Sequence, residues 1–297
     1  MQTDTVTNGE VTYIRRCSRG EDATMQFVKE LGLLKKLRVL KTAISVRSES
    51  IESALLESLG HLHNIQELQI WDYSPCKNLV SSDAGRVSCR HLRFLHLDCF
   101  VFSGLPAWIN SSLAPNLSYL DVQVVVVKDQ DMETLAKLPE LSCLVLHSGD
   151  TKSVVSIKIR TDKGVVYFRK LRFLKILGPS IWFDLRGSKY CNSSRVASSN
   201  TIMPRLESLE FDVHVRSLKD KNLQLGFDKM LGFQNLGTSS LQRVKAEVNC
   251  EGASIWDVVE AEAALEHAAA VHPKHPTLLT NRVDSQYMIE ISRYQEV

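Results

Sequence analysis

Apolar residues in this chain fall into a six-position phrase, apolar at the first and fourth positions and usually at the sixth, that returns eight times. It reads LRVLKT from 37, IQELQI from 65, LRFLHL from 92, LSYLDV from 117, LSCLVL from 141, LRFLKI from 171, LESLEF from 206 and LQRVKA from 241. The first anchors are Leu37, Ile65, Leu92, Leu117, Leu141, Leu171, Leu206 and Leu241, at intervals of 28, 27, 25, 24, 30, 35 and 35 residues. Side chains of an extended chain alternate with period two, so the fourth and sixth positions share one face and the third, fifth and seventh share the other. Each phrase therefore predicts a short strand with one face in a core and one face displayed. Before several phrases the period changes: Phe27, Leu31 and Leu34, then Leu55, Leu59 and Leu62, then Met132, Leu135 and Leu138 recur at the three- and four-residue spacing of an amphipathic helical turn.

A helical segment, a turn and a strand form a unit that cannot bury its apolar face alone. Repeats with intervals in the range of roughly 20 to 29 residues are the signature of leucine-rich repeats, which stack into a solenoid. The predicted fold class is thus α/β: a curved leucine-rich-repeat solenoid, with a parallel strand ladder on the concave side and short helices and loops on the convex side. Two of the longer intervals hold insertions. Residues 186–200, rich in Ser and Asn, read as a mobile loop, and 217–240, with Leu223, Leu225, Phe227, Met230, Leu231 and Phe233, as a convex helical piece. After the eighth phrase the pattern stops, and SIWDVVEAEAALEHAAAVHP from 254 reads as one helix with Ser254 as N-cap and Asp257 three residues on. That helix is expected to cap the array. The expected organisation is a partial repeat or poorly ordered segment over 1–23, repeats over 24–252, and capping helix with tail over 253–297. Within 1–23 only VTYI reads as a strand remnant, so the first repeat has no cap and the chain is expected to begin within a longer array.

The stretch 100–146 and the ending EAEAALEHAAAVHPKHPTL from 260 resemble the carboxyl-terminal leucine-rich-repeat region of plant nucleotide-binding leucine-rich-repeat disease resistance proteins of the coiled-coil type. LPAWI at 105–109 and LAKLPELSCLVL at 135–146 carry the likeness, which covers about 24–280. The resemblance implies an intracellular immune receptor whose repeats sense a pathogen effector, or a host protein altered by one, and restrain a nucleotide-operated switch. The sequence departs from the full architecture, because it holds neither GxxxxGK[ST] nor any Gly-Lys pair. Nucleotide is therefore not carried over, and no cofactor is expected.

Composition narrows the partners. With 36 Lys plus Arg against 34 Asp plus Glu the net charge is +2, which gives no basic stripe for nucleic acid. The amino terminus lacks the build of a secretory signal, and the aliphatic run at 124–127 is far short of the roughly 20 residues that span a bilayer. Seven cysteines without a CxxC pair suit a reducing compartment. The expected location is cytoplasmic, with neither nucleic acid nor membrane as partner, and the sequons at Asn110, Asn116 and Asn192 read as coincidental. Cys89, His91, His96 and Cys99 invite zinc, but a strand strings them out at about 3.3 Å per residue with His96 and Cys99 on opposite faces. His272 and His275, between prolines, resemble the ending of that family and read as a structural terminus. No HExxH or GxSxG occurs, so the chain is not expected to be an enzyme.

The displayed positions carry the functional expectation. Among them stand four large aromatics, Trp71, Phe94, Tyr119 and Phe173, with His96, Asp98, Asp121 and Lys175 beside them. Aromatics on a wet face mark contact sites, so these eight residues are the candidate partner-binding set. The partner is a protein: an effector, a guarded host protein, or the receptor's own nucleotide-binding domain. Alternative readings are the substrate-recognition subunit of a ubiquitin ligase and a truncated, non-functional receptor remnant.

Overall fold

Each leucine phrase opens a strand two residues after its first anchor, because the first leucine closes the preceding turn before the backbone extends. The computed structural model describes residues 11–14, 20–46, 48–72, 80–81, 90–150, 154–156, 167–182, 203–220, 227, 233, 236 and 240–289. The expected loop at 186–200 lies outside them, as does most of 217–240, of which Phe227, Phe233 and Leu236 are buried. The described residues divide into two compact units, 1–147 and 148–297.

In the first unit strands β1 (Val11–Ile14), β2 (Val39–Ala43), β3 (Glu67–Trp71), β5 (Phe94–Phe102), β6 (Tyr119–Val124) and β7 (Cys143–Ser148, whose last residue opens the second unit) succeed one another in the sheet, and β4 (Val80–Ser81) pairs β5 off that path. The β1–β2, β2–β3, β3–β5 and β5–β6 pairs are parallel and in phase, so that Val39, Glu67, Phe94 and Tyr119 lie in one column. The VTYI remnant is thus β1, a further rung beside β2. Helices α1 (Glu21–Leu31), α2 (Glu49–Gly60) and α3 (Asp129–Ala136) connect rungs. Helix α2 buries Leu55 and Leu59, and α3 buries Met132 and Leu135, as their spacing predicts. Helix α1 is turned relative to expectation. It buries Thr24, Val28 and Leu31, while Leu34, past its end, is exposed. Side chains also tie rung to rung: Asn64 and Asn116, each one residue before an anchor, donate to the Lys35 and Arg90 carbonyls at 2.9 and 2.7 Å. The sequon residue Asn116 is engaged in this way, and Asn110 holds its own turn by donating to the Ala107 carbonyl.

In the second unit β9 (Phe173–Trp182), β10 (Ser208–His214), β11 (Arg243–Asn249) and β12 (Thr277–Val283) form a parallel ladder, and β8 (Val154–Ser156) pairs β9. Helix α4 (Val215–Asp220) follows β10. Helix α5 (Ile255–Val271) begins where expected, with Ser254 Oγ accepting from the Asp257 N–H at 3.2 Å and the Asp257 carboxylate accepting from the Ser254 N–H. One expectation is corrected here. The leucine phrases end at β11 but the ladder does not, since α5 leads into β12, which pairs β11 over seven residues. The turn between them holds His272, wholly buried with Nδ1 accepting from the Lys274 N–H at 3.0 Å, and His275 at φ 43°. The pair is structural, as read from the sequence, but it makes a turn into β12 and is not a terminus.

Each unit contains an interrupted strand among its described residues. On β5, Leu97 pairs Val122 and the next pair is Val101 with Gln123; on β9, Ile176 pairs Phe211 and the next is Ser180 with Asp212. Residues 98–100 and 177–179 are therefore bulges, and the short strands β4 and β8 pair only the part beyond each bulge. The core on the far side of the strands is aliphatic: Leu68, Leu95, Leu120 and Leu144 in the first unit, and Leu174, Leu209 and Val244 in the second, are wholly buried. Each such leucine stabilises by about 1.5–3 kcal/mol.

Candidate functional site

Period-two alternation puts the third, fifth and seventh residues of each phrase on the face opposite this core, where β3 and β6 show strict alternation of buried and half-buried positions and β5 shows it as far as Asp98. Trp71, Phe94, His96, Asp98, Tyr119 and Asp121 are all half-buried there. In-phase pairing then decides which of them meet. Phe94 and Tyr119 are partners in the β5–β6 register, and their rings stack with centroids 3.9 Å apart and planes 4° from parallel. An aromatic pair of this kind is worth about 0.5–1.5 kcal/mol beyond its burial. Trp71 tilts against His96 at 5.8 Å and 48°.

Two residues along the same strands, His96 and Asp121 are also register partners. His96 Nδ1 lies 2.8 Å from Asp121 Oδ2, and His147 Nε2 of β7 lies 3.4 Å from Oδ1. Tyr119 donates its hydroxyl to Oδ2 at 3.4 Å. Burial alone would raise the Asp121 carboxyl, but hydrogen bonds from His147 and His96, with their charge, hold it well below the usual carboxylate range. The same carboxylate acts on its neighbours. Burial and then Asp121 push the Tyr119 hydroxyl up to about 12, and burial and then Asp121 push the Cys143 thiol up to about 11. Cys143 thus stays a thiol at neutral pH and is no nucleophile. Asp98 accepts from Gln123 Nε2, and Lys41 pairs with Glu67 at 2.6 Å. Among the described residues no group of three or more His, Cys, Asp or Glu side chains is placed to hold a metal ion.

Phe173 and Lys175 belong to the second unit. They stand on β9 opposite Ser208 and Glu210, and Lys175 pairs with Glu210 at 3.4 Å. Next to them Asp212 accepts the Gly178 N–H at 2.7 Å, and burial, only partly offset by that bond, raises its carboxyl. Sequence reasoning did not single out His147 for the site. It occupies a displayed position of the fifth phrase, but its bond to Asp121 crosses diagonally between rungs and depends on a register that no single phrase reveals.

The face offers stacked aromatic surface beside ion pairs already satisfied within the protein. The family model described as leucine-rich repeat region matches residues 10–278. The chain therefore belongs to the leucine-rich-repeat family, with the α/β repeat fold and a C-terminal helix, and no catalytic family is indicated. Leucine-rich-repeat regions are protein-interaction modules, and that is the class of this protein. No curated protein matches the chain. No described helix is long and apolar enough to cross a membrane.

Proposed function

We propose that this chain is the non-catalytic recognition region of a plant intracellular immune receptor, acting in the cytoplasm, and that the strand face of its first unit engages a protein. The partner is a pathogen effector, a guarded host protein or the receptor's own nucleotide-binding domain. The reading rests on the Phe94–Tyr119 stack with Trp71 beside it: aromatic anchors half-exposed on a strand face, where a solvated sheet ordinarily carries polar side chains. The immune assignment is supported by LPAWI, LAKLPELSCLVL and the ending from 260, and the membership of the family agrees with it.

The test is a paired purification. The chain and its Phe94→Ala, Tyr119→Ala double variant are expressed in leaf tissue and crosslinked, and their bound proteins are identified by mass spectrometry. The expected result is that an effector, a host defence component or a nucleotide-binding domain is recovered with the wild type and reduced about tenfold with the folded variant, the usual effect of removing interface anchors. Equal recovery with both overturns the assignment of this face. Recovery of a ubiquitin-ligase adaptor in place of such proteins overturns the immune assignment.

A further inference from the structure

A second surface, on helix α5 of the second unit, is built unlike an ordinary outer helix face. With 100° between successive residues, the buried positions Val258, Ala261, Ala264, Leu265 and Ala268 fix the inner side. The line opposite runs through Trp256, Val259 and Ala263. Trp256 is 71% exposed and Val259 45%. Tyr287 and Ile289, also exposed, are brought beside the start of the helix: the Ile289 N–H donates to the Ala253 carbonyl at 2.9 Å, and the Gly252 N–H to the Tyr287 carbonyl at 3.0 Å. A tryptophan so exposed adds little to folding, and an aromatic and aliphatic cluster of this kind at a surface marks a contact site.

The charges around the cluster say what fits it. Between Ile255 and Val271 there is no Lys or Arg, and the acids are Asp257, Glu260, Glu262 and Glu266. Two of these are neutralised from the flanks: Lys219 of α4 reaches Asp257 at 2.6 Å, and Arg282 of β12 grips Glu262 through two nitrogens. Glu260 and Glu266 are exposed, have no partner among the described residues, and lie to either side of the Trp256–Ala263 line. We propose that the outer face of α5 docks a basic amphipathic helix of a partner protein. Its apolar side would pack on Trp256 and Val259, and its lysines or arginines would pair with Glu260 and Glu266. Apolar packing and opposite charge then act on the same partner, which sets orientation as well as affinity. This surface is distinct from the strand face of the first unit and does not depend on it.

The test uses the full chain with a leucine–lysine amphipathic helix of about two heptads as probe, its leucine–glutamate counterpart as control, and fluorescence anisotropy as readout. The lysine peptide is expected to bind, with a blue shift in the Trp256 emission, taken as the difference from Trp256→Phe. Trp256→Ala and the pair Glu260→Lys, Glu266→Lys are each expected to weaken it about tenfold. Phe94→Ala, Tyr119→Ala is expected to leave it unchanged. All these positions are half-buried or exposed, and far-UV circular dichroism checks that each variant is folded; the charge pair alone keeps the proposal refutable if Trp256→Ala is not. The proposal is overturned by equal affinity for Trp256→Ala or the charge-reversed pair, or by equal binding of the glutamate peptide. It is also overturned by Trp256 quenching in the free chain that changes on dilution, which identifies a second copy as the occupant, or that changes on ending the chain at Ile289, which identifies its own last residues.

Discussion

Replacing Gly178 by alanine tests a close backbone approach in the second unit. Gly178 lies in the β9 bulge at φ 104°, and a Cβ built on it would sit 2.1 Å from the Ser148 carbonyl oxygen and 2.9 Å from the carbonyl carbon. Both distances are shorter than real Cβ contacts, and both opposing atoms are backbone, so the bulge or Ser148 has to move. Two penalties combine. Holding a residue with a side chain in this part of backbone space costs about 1–3 kcal/mol, and relieving the overlap costs about another 1–3 kcal/mol. Any shift of the bulge also stretches the 2.7 Å bond from the Gly178 N–H to Asp212, a carboxylate that burial makes dependent on its donors. The expected loss is about 2–6 kcal/mol, a large part of a domain stability of about 5–15 kcal/mol.

Gly252 supplies the control. It too has positive φ, 67°, but the nearest atom to its Cβ would be Arg216 Cγ at 3.7 Å, an ordinary contact. Gly252→Ala then carries only the backbone cost, about 1 kcal/mol. Urea titration of the two variants, followed by circular dichroism, should shift the midpoint at least about twice as far for Gly178→Ala at similar m. Equal shifts would refute the reasoning, because they would mean that the β9 bulge does not approach Ser148 as described.

Two further outcomes are expected. Leu144→Asp, which puts an unpaired carboxylate at a wholly buried rung position, should cost at least about 5 kcal/mol and abolish soluble expression; a soluble variant with unchanged Tm contradicts the assigned register. Asp121 has a folded carboxyl value held below its unfolded one, so its contribution is fully present above an unfolded value of about 4 and is lost as pH falls toward the folded value. The Tm gap between wild type and Asp121→Asn should therefore be widest at neutral pH and shrink in acid, and a gap constant down to pH of about 3 counts against the His96–Asp121–His147 arrangement.

What the sequence displayed and what it hid follow from the range of the forces involved. The eight strands were legible because LxxLxL writes both the period and the inner face into adjacent residues, and Leu37 predicts Val39 as surely as Leu241 predicts Arg243. Strand β12 was hidden for a physical reason. In its register Leu278, Thr280 and Arg282 stand opposite Val244, Ala246 and Val248, but it is the end of the described ladder, so its inner positions need not be apolar. Arg282 can pair with Glu262 where other rungs bury an aliphatic side chain. The cue that survives is spacing, since Thr277 follows Arg243 by about one interval. Aromatic display at Trp71, Phe94 and Tyr119 was legible from alternation alone, whereas the ring stack and the two-histidine clasp on Asp121 needed the register between chain segments 25 residues or more apart.

The bulges explain why one member of the expected set behaves differently from the rest. Residues before residue 98 of β5 are locked to both neighbours by in-phase pairing, which holds Phe94 and His96 against Tyr119 and Asp121. Asp98 begins the bulge, so it leaves the column that contains Trp71 and is reached instead by Gln123. On β9 the same device makes Leu177 the first residue beyond the paired stretch, and Asp212 of β10 accepts the N–H of Gly178 within the bulge. On β5 and β9, then, the third and fifth phrase positions are preorganised by the ladder, while the seventh is released to a local bend whose polar groups are met by the next strand. A partner that binds the first unit's strand face meets its rigid part at Phe94, Tyr119, His96 and Asp121, and for that reason substitutions at these four should alter affinity more than substitution of Asp98.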